Sequence, residues 1–132
     1  MSVQNASINA GATISAAGGT AVNYTPNGIT IQNGVQLIDA AITDFRIRPT
    51  LTLKNKLPVL GKDMVYSKDR KSMLLVEPII LASGKVVYNL LRIEREVHPE
   101  TTAANALGFN TKGAQLLTDA DFSNFWSAGS IA

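Results

Sequence analysis

Arg46, Arg48, Thr50, Thr52 and Lys54 are spaced two apart and alternate with Phe45, Ile47, Leu51 and Leu53. In extended backbone that spacing puts the two sets on opposite faces, one cationic and hydroxylic, the other apolar. Guanidinium and ammonium groups on a shared face attract phosphates and release their counterions, and threonine hydroxyls hydrogen-bond to phosphate, sugar or base. The rival is a solvated face whose charges keep the protein dissolved. Either way the chemistry on offer is binding, not turnover. There is no cysteine, so disulfides and thiolate metal sites are excluded, and a histidine-based triad would have to use His98, the single histidine. His98 precedes Pro99 at a strand-to-helix junction, where a cap or surface role suits it. No G-x-S-x-G, Walker or Rossmann-type segment occurs. Glu94 and Glu96 share a strand face and lack nearby partners for a cation, so a solvated face describes them better. No enzyme activity, metal or cofactor is expected.

The charge is unevenly laid out along the chain. The 132 residues sum to +2. Met1 to Phe45 holds only Asp39 and Asp44 and no base, Arg46 to Lys85 holds nine bases against three acids, and the rest returns to −2. A basic middle between acidic ends predicts one positive surface rather than a generally cationic protein. The N-terminal residues Met1 to Asn5 lack the basic and apolar runs of a secretory signal. The apolar stretch Met73 to Ala82 is broken by Glu77-Pro78 and is shorter than the ~20 residues of a membrane span. These features predict a soluble protein made inside the cell, without a membrane partner.

The elements that must carry the basic face are legible as periods. Ile8, Ala10, Ala12, Ile14 and Ala16 alternate with small or polar residues, the pattern of a half-buried strand. Val22 and Tyr24 continue the alternation, and Asn27-Gly28 and Asn33-Gly34 are hairpin turn signals flanking short strands at 29–31 and 35–38. Asp44 to Lys54 reads as a strand with Pro49 at an edge or bulge. Asn55 to Arg70 is a basic loop, Lys71 to Leu81 a strand interrupted by Pro78, Ala82-Ser83-Gly84 a turn, and Lys85 to His98 a long strand. In that last strand Val87, Leu91, Ile93 and Val97 share one face; Tyr88, Leu90, Arg92, Glu94 and Glu96 share the other. The period then changes. Pro99-Glu100 suits a first helical turn, and Ala103, Ala104, Leu107, Ala114 and Leu117 give an apolar stripe weakened by Gly108 and Gly113. Thr118 reads as the cap of a second helix whose Phe122, Phe125 and Trp126 share a face and which Gly129 ends. The order, about six strands and then two helices, is an α+β class with an antiparallel sheet: one domain over 1–132, β over about 1–98 and helical over 99–129.

The stretch Val97-His98-Pro99-Glu100-Thr101-Thr102-Ala103-Ala104, with Gln115 through Phe122 and Asn124-Phe125-Trp126 before Gly129, resembles coat proteins of the single-stranded RNA bacteriophages. The resemblance is strongest in the last third and extends as a strand pattern over the whole chain. It implies an N-terminal β-hairpin, an antiparallel sheet of about five strands and two C-terminal helices that lie across a partner's sheet in an intertwined dimer. It further implies assembly of dimers into an icosahedral shell around the viral RNA in the virion, synthesis in the bacterial cytoplasm, and in many members repression of translation through an RNA hairpin. By strand parity the RNA-binding residues are Arg46, Arg48, Thr50, Thr52, Lys54, Ser72, Tyr88 and Arg92; Tyr88 would stack on an unpaired base. Leu107, Phe122, Phe125 and Trp126 are expected to pack the dimer, Trp126 against a sheet surface. The Leu81–Lys85 connection is shorter than the matching loop of several relatives, which points to Asn55–Arg70 as a source of shell contacts. Two rivals remain: a small RNA-binding β-domain that does not assemble, and a small enzyme or ligand-binding barrel, against which the lack of convergent catalytic groups counts.

Overall fold

The computed structural model describes residues 3–14 and 16–131. They form β1 (Tyr24–Pro26), β2 (Gly34–Asp39), β3 (Thr50–Lys56), β4 (Asp69–Ile80), β5 (Val86–Val97), α1 (Ala103–Thr118) and α2 (Ser123–Ala128), with 3-10 turns at Val3–Asn5 and Ala120–Phe122. The chain divides into two compact units, Gly19–Pro99 and the pair Met1–Gly18 with Glu100–Ala132. Among the described residues no helix is long and apolar enough to cross a membrane.

The first unit is one antiparallel sheet in the order β1-β2-β3-β4-β5. β1 and β2 are the N-terminal hairpin, and they belong to the five strands rather than adding to them. Its connection is one seven-residue loop, 27–33, in which Ile31 makes only an isolated bridge to Gly34, so no strand forms at 29–31. Gly34 is required by contact: a Cβ there would lie 2.3 Å from the Leu53 carbonyl oxygen on β3. β4 and β5 pair along their whole lengths, from Asp69↔Val97 to Ile80↔Val86. Pro78 fits inside β4 for a geometric reason. Leu81 N–H donates to Lys85 O, so alternate residues back along β4 bond to β5 and the Pro78 nitrogen faces the other side. β3 pairs only as far as Val76, so the missing donor falls on an open edge.

In the second unit α1 starts later than Pro99 suggests. Thr102 is its cap, its hydroxyl accepting from Asn105 N–H at 3.2 Å. Thr118 ends α1 instead of capping the next helix; Asp119 caps the intervening 3-10 turn, its carboxylate accepting from Asp121 N–H at 2.9 Å, and α2 follows Phe122 without a side-chain cap. Gly129 ends α2 at φ 68°, where the left-handed backbone suits glycine. The expected strand over 8–16 does not form (Ser15 lies outside the described residues). Gly11 adopts φ 74°, which breaks the extension, and alanines at alternate positions have little area to gain from a sheet. The segment is held on the helices by side chains. Gln115 Oε1 accepts from Asn9 N–H at 2.7 Å and its Nε2 donates to Asn9 O at 2.9 Å, so one amide satisfies both backbone groups. Asp121 accepts from Ser7 N–H at 3.1 Å, and Gln4 Nε2 donates to Ile131 O at 3.2 Å.

Gln115 is only 3% exposed. Gln115→Ala is therefore expected to cost about 1–3 kcal/mol, since it leaves both Asn9 groups without their partner. Urea denaturation measures the loss, and faster hydrogen exchange at the Asn9 amide locates it.

Candidate nucleic-acid interface

Residues directly opposite in an antiparallel pair share a face, so the registers sort the side chains. Thr52 lies opposite Leu74, and Leu74 opposite Arg92. Lys54, Ser72 and Glu94 make the next row, and Thr50, Val76 and Leu90 the row on the other side. Tyr88, opposite Pro78, is on the same face just beyond the end of β3. Thr50, Thr52, Lys54, Ser72, Tyr88 and Arg92 are thus brought to one surface. The other face carries Leu51, Leu53, Met73, Leu75, Leu91 and Ile93.

Arg46 and Arg48 are not on that strand. β3 begins at Thr50, and 45–47 form a turn, so the alternation expected from Phe45 onward holds only after Pro49. Asp44 is the cause. Its carboxylate accepts from Arg46 N–H at 2.9 Å, from Nε at 3.3 Å and from Nη2 at 3.0 Å, which curls the backbone. Arg48 Nε donates to Ile42 O at 2.8 Å while its guanidinium sits 4.5 Å from the Phe45 ring centroid. Phe45, expected on the apolar strand face, is an exposed stacking plate for Arg48.

Where the strands meet, Thr52, Lys54, Ser72, Leu74, Arg92 and Glu94 line a shallow depression of about 290 Å³. Gln36, opposite Thr52 on β2, donates to the Thr52 hydroxyl at 3.5 Å. Glu94 and Glu96 do not form a cation site, since Arg70 holds both: its Nε is 3.1 Å from Glu94, and Nη2 contacts Glu96. Among the described residues no group of three potential metal ligands occurs. Arg70 is therefore spent on acids, whereas Lys54 and Arg92 make no ion pair among the described residues and face outward. Chemically the surface offers two cations for anionic groups, hydroxyls for hydrogen bonding and an exposed phenol ring. Sequence reading missed Gln36 and Arg70 as members of this face, because only the cross-strand register assigns them to it; Leu74 follows by parity from Ser72 but, being apolar, is not among the nominated residues.

The candidate packing residues lie in the helical unit. Trp126 Nε1 donates to Leu116 O at 2.7 Å, and its ring meets Phe125 edge-on, centroids 5.2 Å apart. Leu107, Phe125 and Trp126 are exposed and Phe122 is half-buried.

No family model matches the chain, and no curated protein does. Solved structures do. The subunit of the virus-like particle of bacteriophage GQ-907 is 36% identical and superposes with a TM-score of 0.91, over 99% of this chain and 100% of that one. This chain belongs to the bacteriophage coat proteins. The virus-like particle of bacteriophage AVE019 shares the fold alone, at 11% identity and TM-score 0.65 over 80% of this chain and 83% of that one. The coat protein is thus a capsid component and a structural protein rather than an enzyme, with the five-stranded sheet and two C-terminal helices that the resemblance implied.

In the coat protein the Asp44 turn has a titration signature. Hydrogen bonds from the Arg46 side chain, and then from its backbone N–H, hold the Asp44 carboxyl below the usual carboxylate range. A depressed folded value means the turn is favoured above the ordinary pKa of ~3.9 and loosens as pH falls through the lower folded value. The Asp44 carboxyl carbon, followed by NMR, is expected to titrate below ~3.9, and Arg46→Ser to bring it part of the way back, since the backbone donor stays.

Proposed function

We propose that the coat protein forms an intertwined homodimer, that dimers assemble into an icosahedral shell, and that the sheet face carrying Thr50, Thr52, Lys54, Ser72, Tyr88 and Arg92 contacts the single-stranded RNA genome. The chain acts as one coat-protein domain over 1–132, made in the bacterial cytoplasm and carried in the virion.

The observation that supports partnership is the missing core. Among the described residues no hydrophobic residue is buried; only Asp39 and Gln115 are. Large apolar side chains stand exposed in each unit by itself, Leu90, Leu91 and Ile93 on the sheet and Leu107, Phe125 and Trp126 on the helices, and surface of that kind is what an obligate interface covers. The described similarity to particle-forming phage proteins favours a shell over a non-assembling RNA-binding domain. Leu107, Phe122, Phe125 and Trp126 supply the helical surface that a partner's sheet would cover. For RNA, Lys54 and Arg92 provide phosphate contacts and Tyr88 a stacking ring. Arg46 and Arg48 are drawn into the turn by Asp44 and Ile42 O and are not counted among the contacts of this face.

Electron microscopy and light scattering of the protein expressed alone test the assembly: closed particles are expected, and a monodisperse monomer at micromolar concentration would overturn it. Trp126→Ala is expected to remove ~3–5 kcal/mol of dimer stability, read from concentration-dependent melting. Lys54→Ser with Arg92→Ser should weaken RNA binding and lower the salt slope by about 1.4, from ~0.7 for each phosphate no longer neutralised, with the dimer intact. An unchanged slope in a dimeric double variant would move the RNA to another surface.

A further inference from the structure

The β3–β4 connection is the most apolar exposed element of the sheet unit that pairing does not use. Leu57, Val59, Leu60, Met64, Val65 and Tyr66 are each 44% exposed or more, and Met64 reaches 76%. The segment is a built object. Ser67 N–H donates to Val59 O and Val59 N–H to Ser67 Oγ, both at 2.9 Å, Gly61 N–H donates to Val65 O at 2.9 Å, and Leu60 bridges Tyr66. Asp63 accepts from Val65 N–H at 3.2 Å, and a Cβ on Gly61 would crowd that carboxylate at 2.8 Å. The result is a small hairpin with its apolar side chains outward.

Its tip carries a second, independent signal. Met64 sits at φ 65°, a conformation that disfavours any residue with a Cβ and that glycine or asparagine would take more readily. The methionine takes this conformation against the backbone's preference while its side chain stands 76% exposed. Strain of this kind collects where a surface is used.

We infer that this hairpin, tipped by Met64, is the knob by which one dimer grips a second copy of the chain in the shell. The inference rests on the assembly reading above. A closed shell needs each dimer to contact others as well as to hold together, and an outward apolar cluster of this kind marks a protein contact. The β4–β5 turn offers less: Leu81 N–H is tied to Lys85 O at 2.8 Å, the tip is only Ala82, Ser83 and Gly84, and its exposed apolar neighbours are Ile80 and Leu81. Charge suits another copy as well. Lys62 and Lys68 flank the apolar tip against Asp63 alone, while residues 86–132 sum to −2. RNA is the poorer fit, because six apolar side chains would face phosphate for two lysines.

The test expresses wild-type protein, Met64→Asn and Met64→Gly side by side, with size-exclusion light scattering, electron microscopy and RNA content of the particles. Both substitutions suit the tip's backbone, so the dimer's melting temperature is expected to be unchanged or higher. The concentration needed for shells should rise roughly tenfold or more, the scale of one large apolar side chain no longer buried. Shells at wild-type concentration from both variants would overturn the inference. So would normal shells with reduced RNA content, which would assign the hairpin to RNA, and so would loss of the dimer in both variants, which would assign Met64 to the subunit's own stability. Absence of particles from wild-type protein would remove the assembly reading itself, and the inference with it.

Discussion

The ladder between β4 and β5 is the interaction on which the rest of the coat protein's sheet depends. It is local, closed by a turn of three residues, and twelve pairs long. Because side chains alternate at every residue, its register decides the composition of both faces at once. In the observed register Arg92 stands opposite Leu74 and Glu94 opposite Ser72, which places Arg70 within reach of both Glu94 and Glu96. A slip by one residue would carry Arg92 to the side of Leu51 and Leu53 and dissolve that network. β3 then inherits its facing from β4, and β2 from β3, so the hydroxyl and lysine positions of Thr52 and Lys54 are fixed by a hairpin that contains neither.

A sheet ordered in this way satisfies its backbone without satisfying its side chains. Hydrogen bonding is complete along the ladders, while the hydrophobic contribution, ordinarily the dominant one, is left largely uncollected by the single chain. The two compact units share this condition. Their internal order comes from hydrogen bonds: strand ladders in one, caps and the Gln115 and Asp121 contacts in the other. In the proposed dimer, folding and association would then be one thermodynamic event rather than two.

Much of this was legible in the sequence where the periodic signal is long. The faces of β5, with Leu91 and Ile93 against Arg92 and Glu94, follow from alternation over twelve residues, and Gly129 marks the end of α2 as its chemistry dictates. Alternation misled where a local competitor was stronger. Asp44, two residues before Arg46, draws that arginine into a turn, and no parity rule registers a side chain that bonds its own neighbourhood. The segment 8–16 alternates as regularly as a strand, yet alternation states only that two sides differ; it does not supply a neighbour to pair with. Asn9 found its partner in Gln115, 106 residues away, and that separation is invisible to any local pattern. The paired state of Glu94 and Glu96 was hidden for the same reason, since Arg70 reaches them only through the register.

The Gln115 contact carries a consequence for how the sequence can change. The amide addresses the arm through the N–H and C=O of Asn9, groups that every residue except proline possesses. Asp121 does much the same at Ser7 through its N–H. From Ser7 to Asn9 the side chains therefore add little to their own anchoring beyond a 3.5 Å contact from Ser7 Oγ to Asp121, and these residues can change with little effect on where the segment runs; Gln4, whose own amide reaches Ile131 O, is the exception. The information that places it is stored elsewhere, in two positions of the helical half, so mutational tolerance and structural importance are distributed to opposite ends of one chain.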